Sequence, residues 1–122
     1  MDRLIAEKLF GMYVYHYDKD RAEHCYWCLM NADCSPVVFG WDEGLRSTEA
    51  QAWADVPKYS TNIAHAWEVV EKMKSLGHAL FQLQQWSDGW VATFDHRKPG
   101  CADTAPLAIC TAALAAQSGD QQ

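Results

Sequence analysis

Three of the five cysteines of this 122-residue chain fall in one stretch, His24 to Cys34, "HCYWCLMNADC". Cys25 and Cys28 have the C-x-x-C spacing that zinc and redox sites share, and His24 stands directly before the pair. Zinc needs four ligands in a tetrahedron, normally a tight knuckle and a second pair elsewhere. Here Tyr26 and Trp27 fill the spacing with strand formers, and residues three apart on a strand point to opposite faces. Cys34 and His24 are the remaining ligand types nearby, but there is no second C-x-x-C and no H-x-x-H. A redox pair would want a helix N-terminus after a strand to lower the thiol pKa, and that context is missing. The stretch therefore reads as thiols carried by a sheet strand, with no metal and no cofactor. Cys110, inside the apolar run "LAIC", reads as core.

Anion chemistry has two candidate positions. Ser60, Thr61 and Asn62 stand at the head of a helical pattern, with Lys58 just before them. Free backbone N–H groups and the helix dipole favour phosphate at such a place, although capping alone explains the same residues. The run His96-Arg97-Lys98 is the one compact basic cluster, able to clamp a phosphate or simply to be a solvated loop. If the two positions face one pocket, they read together as an anion site.

Six tryptophans are many for this length. Trp67 lies on the apolar side of a helical pattern and reads as core, and Trp90, opening a strand, reads the same way. Trp41, Trp53 and Trp86 border loops and turns, where an indole is free to stack on a planar base or to meet another protein surface. Catalytic signatures are absent: there is no nucleophile elbow, P-loop, HExxH or dinucleotide fingerprint. Asp95 and His96 are adjacent, so their side chains diverge on a strand. His65, near the apolar face of its helix, reads as structural. Glu43, Glu49 and Asp55 have no evident partner for acid–base work.

The elements that must position these groups follow from periodicity. Asp2 to Met12 reads as a helix with Ile5, Leu9 and Met12 on one side, ended at Gly11. Tyr13 to Tyr17 and Glu23 to Met30 read as a hairpin around the polar turn Asp18 to Arg21. Val37 to Trp41 is a third short strand candidate, with Pro36 at its start. Residues 42 to 59 read as a long surface loop with one helical turn around Glu49 to Trp53. Ile63, Ala66, Trp67, Val70 and Met73 mark the apolar face of the clearest helix, and Gly77 stops it. His78 to Trp86, the turn Ser87-Asp88-Gly89 and Trp90 to Phe94 form the best hairpin signal. Asp95 to Asp103 reads as a basic irregular loop. "TAPLAICTAALAA" is a helix with a Thr104 cap and Pro106 in its first turn, and "QSGDQQ" should fray. No βαβ unit repeats. The order helix–strands–helix–strands–helix predicts an α+β fold, an antiparallel β-sheet packed against helices, in a single domain spanning 1–122.

Composition excludes some partners. A net charge of −6 and a pI near 5.2 leave nothing to neutralise many phosphates at once, so neither duplex nucleic acid nor an anionic membrane is expected as the main partner. No apolar run is long enough to span a bilayer. "MDRLIAEKLFGM" carries charges through its apolar positions and does not read as a signal peptide. The five cysteines are then expected to be thiols in a reducing cytoplasm.

"AEKLFG", "YSTNIAHAWEVVEKM", "GWVATFD" and "ADTAPLAICTAALAA" together resemble the phage ABA-sandwich family, small proteins of bacteriophages and prophages, mostly of unknown function. The resemblance runs over most of the chain and is strongest in the second and third helices. Tyr59 stands where the family usually has proline, and Trp27 to Pro57 has little that matches. The resemblance implies a phage origin, a helix–sheet sandwich and action in the host bacterial cytoplasm. It implies no activity. From origin and residues together, the expected function is non-catalytic capture of a small anionic, nucleotide-derived ligand that signals host defence. Lys58, Arg97 and Lys98 would meet phosphates, Ser60, Thr61 and Asn62 would add donors, and Trp41, Trp53 or Trp86 would stack on the base. The aromatic excess also predicts a homo-oligomer. A protein-binding inhibitor of a host factor and a small hydrolase of a nucleotide signal remain the alternatives.

Overall fold

A computed structural model describes residues 1–17, 26–38 and 45–117. The expected Asp18 to Arg21 turn, Glu23 to Cys25, Phe39 to Trp41, Glu43 and the C-terminal "SGDQQ" lie outside the described residues. Among the described residues, nine elements follow in chain order: α1 (Asp2–Lys8), β1 (Tyr13–Tyr17), β2 (Tyr26–Met30), α2 (Glu49–Trp53), α3 (Ile63–Ser75), β3 (Phe81–Trp86), β4 (Gly89–Phe94), β5 (Gly100–Ala102) and α4 (Ala105–Gln117). The fold is α+β with two antiparallel sheets, β1-β2 and β3-β4-β5. The chain separates into two compact units, Met1–Leu9 with Pro57–Gln122 and Phe10–Val56.

In the Phe10–Val56 unit, β1 and β2 pair from Tyr13↔Met30 to Tyr17↔Tyr26. Aromatic and β-branched residues suit this ladder. His16 and Trp27 face each other across it and stack at 3.7 Å with an interplanar angle of 10°. The stretch read as an aperiodic loop gives β2 a further partner: Trp27 and Arg46 exchange N–H···O bonds of 2.8 Å each. Arg46 then grips Asp55 through Nε and a terminal nitrogen, at 2.8 and 2.9 Å. The expected turn at Glu49–Trp53 is α2, capped by the Thr48 hydroxyl, which accepts from Gln51 N–H. Among the described residues, the third strand candidate amounts to a bridge of Pro36 with Met30 and one Val37 N–H to Leu29 O bond. Proline has no N–H to extend a ladder.

In the other unit, α4 packs its Ala108, Ile109, Cys110, Ala112, Ala113 and Ala116 inward. Ala92 and Phe94 of β4 are fully buried on the sheet face that α4 covers. Small side chains let strand and helix approach closely. A Cβ on Gly100 would collide with Ala112 N and with Ala108 O of α4. That approach creates β5 inside the segment read as an irregular loop, pairing Val91↔Cys101 and Ala92↔Gly100.

Two boundaries differ from the sequence reading. α1 ends at Lys8, with Leu9 as its C-cap, rather than running to Met12. β3 begins at Phe81 rather than His78, because Leu76, Gly77 and His78 donate back to the last turn of α3 in a tight stop, with Gly77 at φ +100°.

The apolar face of α3 is rotated from the expected one. Ala66, Val69, Val70 and Met73 are buried, a clean i, i+3, i+4, i+7 stripe. Ile63 and Trp67, assigned to that face, are 52% and 48% exposed. The sequence contains two overlapping apolar stripes, and the Ala-rich surface of α4 takes the one made of smaller side chains.

Candidate functional site

The residues that lead into α3 form a turn, with Thr61 and Asn62 N–H both donating to Lys58 O. Tyr59 anchors it at 1% exposure, and burial pushes its phenol well above the ordinary range, with the nearby carboxylates of Glu68 and Asp2 adding to the effect. Asn62 is the N-cap, and its Oδ1 accepts from Ala64 and His65 N–H at 2.9 and 3.3 Å. Ser60 N–H donates to the Asp2 carboxylate at 2.8 Å. The N–H groups of Ser60, Thr61, Asn62, Ala64 and His65 are thus engaged by the protein's own oxygens, and Asp2 already supplies a negative charge beside the helix N-terminus. Lys58 and Thr61 are exposed beside this turn.

The basic loop begins where β4 ends. Asp95 and His96 both have positive φ, 55° and 60°, conformations in which Asp and His are over-represented among non-glycine residues. Arg97 N–H donates to Phe94 O at 3.0 Å, and Arg97 and Lys98 are exposed. Asp95 is tied on several sides. Its carboxylate accepts from Leu80 N–H at 3.1 Å and meets His78 Nδ1 at 2.8 Å. The Leu80 N–H bond, the His78 contact and the charge of Arg97 hold this carboxyl below its ordinary value, against some desolvation. His78 Nε2 in turn lies 3.2 Å from Gln117 Oε1. The pair has the histidine–carboxylate form of a general base, yet both ring nitrogens are engaged, and it links the α3–β3 connection, the end of β4 and the end of α4. His78 carried no signal in the sequence. Only the register that brings Phe81 opposite Phe94 places it against Asp95.

Aromatic contacts run from α3 to this same end of the hairpin. Trp67 meets Phe81 edge-on at 5.8 Å, and Phe81 tilts onto Phe94 at 5.0 Å. Trp67, expected in the core, is therefore a half-exposed indole set edge-on to Phe81, which packs in turn on Phe94 near the start of the basic loop. A shift from the expected helix face is the signal that would have found it.

Of the three loop-bordering tryptophans, Trp86 lies away from this end of the hairpin. Trp53 is half-buried on α2, in the Phe10–Val56 unit. Trp41 lies outside the described residues. Trp86 pairs with Gly89 at the opposite end of the hairpin from Phe81 and Phe94, about 17 Å away along a strand. With Trp90, Asp88, Cys101 and Asp103 it lines a shallow groove of about 450 Å³. The carboxylates there make the groove unsuited to phosphate. A second groove of about 810 Å³ lies between α1 and α4, lined by Leu4, Glu7, Lys8, Leu114 and Gln117. Neither groove is lined by Lys58, Ser60, Thr61, Asn62, Arg97 or Lys98.

Of the cysteines in the opening stretch, Cys28 is buried on β2, its thiol pushed up by burial. Cys34 is exposed in the Asn31–Ser35 turn at φ +70°. Cys25 lies outside the described residues. Cys110 is fully buried, its thiol pushed up to about 12.

The family model of the phage ABA sandwich domain matches residues 3–114. The chain belongs to the phage ABA sandwich domain family. The match spans both the N-terminal helix and most of α4, so the α+β fold described above is that of a phage ABA sandwich domain. No curated protein and no solved structure matches the chain. Among the described residues of this phage domain, no helix is long and apolar enough to cross a membrane.

Proposed function

We propose that this phage ABA sandwich protein captures a small anionic, nucleotide-derived signal of host defence in the host cytoplasm and holds it without catalysis. One arrangement carries the proposal: a half-exposed indole, Trp67, meets Phe81, Phe81 packs on Phe94, and from Phe94 departs the loop that bears Arg97 and Lys98. A planar base stacked on such a ring gains about 1–3 kcal/mol, and the two cations would meet phosphate oxygens. Lys58 and Thr61, exposed before the same helix, are further candidates for the phosphates. Asn62 caps α3, and Ser60 N–H is held by the Asp2 carboxylate. In this reading Trp67 takes the stacking role, and Trp86 lies at the far end of its hairpin.

The test is a calorimetric and thermal-shift screen of the full chain against mononucleotides, cyclic mononucleotides and cyclic dinucleotides. At least one is expected to bind, and Arg97→Ala with Lys98→Ala is expected to weaken it about tenfold or more, as is Trp67→Ala. No binding by any of them would overturn capture. Hydrolysis is the second reading, and it would require His78 to give up Gln117 so that its Nε2 could act as a base beside Asp95. Recovery of intact ligand after denaturing the complex supports capture, whereas cleaved product supports hydrolysis.

A further inference from the structure

β3 is an edge strand: among the described residues it pairs with β4 alone. Its sequence, Phe81-Gln82-Leu83-Gln84-Gln85-Trp86, carries no charge and no proline. Charges, prolines and bulges are the usual means of blunting an edge, and this edge has none of them in a chain of net charge −6. Its open backbone groups can be assigned. Asp95 N–H bonds Leu80 O, so in an antiparallel ladder the even-numbered residues of this strand bond β4. The N–H and C=O groups of Phe81, Leu83 and Gln85 therefore point away from the sheet.

We propose that β3 pairs antiparallel with β3 of a second copy about a two-fold axis through Leu83, joining two three-stranded sheets into one of six. This register pairs Leu83 with its own counterpart and Phe81 with Gln85 of the partner subunit. All three outward-facing residues are then bonded, with roughly six hydrogen bonds in total. The same register places Gln82 opposite Gln84 of the partner subunit, where their amides can bond. It also places Leu80 opposite Trp86 of the partner subunit. These two side chains are 59% and 57% exposed, the highest values among the large hydrophobic residues described. Their burial against each other is what singles out a second copy as the occupant. A neutral strand is also where two acidic chains approach with least repulsion. The proposal is independent of any ligand.

Sedimentation equilibrium or light scattering of the full chain over a concentration series tests it, with circular dichroism checking the fold of each variant. The native chain is expected to be a dimer or an even-numbered assembly of dimers. Gln85→Pro removes an outward N–H while sparing the β4 ladder and should weaken dimerisation at least tenfold. Gln82→Lys with Gln84→Lys sets like charges opposite each other twice and should weaken it roughly tenfold. Gln82→Lys with Gln84→Glu sets opposite charges there and should retain the dimer. A monomeric native chain, or a dimer indifferent to Gln85→Pro, would overturn the proposal. Equal weakening by both charged pairs would overturn the Leu83-centred register.

Discussion

At Asp95, one carboxylate does what a longer loop would otherwise need. It occupies a left-handed conformation, φ +55°, and bonds Leu80 N–H and His78 at once. Its carboxyl is held below the ordinary 3.8, first by the Leu80 N–H bond. A depressed folded-state pKa means the stabilisation is complete above the unfolded-state value and is lost as pH falls through the folded-state value. The melting temperature of the native chain should therefore drop as pH falls below about 4. Asp95→Asn keeps a residue that tolerates the left-handed region and removes the charge. The variant should melt lower at neutral pH and lose less on acidification, and parallel melts from pH 3 to 7 would show both effects. The His78–Asp95 pair was not legible in the sequence, because 17 residues separate its members and only strand register joins them.

At the scale of elements, most of the architecture was readable and the misreadings have a common cause. The α2 turn, the Asn62 cap and the β3–β4 hairpin follow from local chemistry, so their sequence signals sufficed. The buried stripe of α3, β5 and the partnering of Arg46 with β2 depend on a neighbour. A strand of three residues, Gly100–Ala102, has no periodicity of its own and exists because α4 and β4 receive it. That dependence is testable. Gly100→Ala forces a Cβ into the α4 backbone, which cannot move like a flexible side chain, and should cost about 3 kcal/mol or more in a denaturant melt. Asn62→Ala, which only frees two N–H groups at an exposed cap, should cost about 1 kcal/mol.

For the molecule as a whole, burial is uneven. Fully buried residues concentrate on α4 and α3, with pairs on α1 and β4, while β3 presents mostly exposed side chains. Amide exchange should therefore be slowest along α4 and the buried side of α3, since the most buried elements open only with global unfolding. A hydrogen-exchange experiment showing α4 to exchange as fast as the exposed turn at Ser87-Asp88 would contradict this ordering. The sequence by itself determined the phage ABA sandwich family, the element order and the acidic character of the chain, because these depend on local pattern and composition. Tertiary structure decided which stripe of α3 is buried, and so turned Trp67 outward. It also set His78 against Asp95, separated Trp86 from Arg97, and left an uncharged strand at the sheet edge. Each of these depends on which distant residues meet, and packing between elements chooses among partners that the local sequence permits equally.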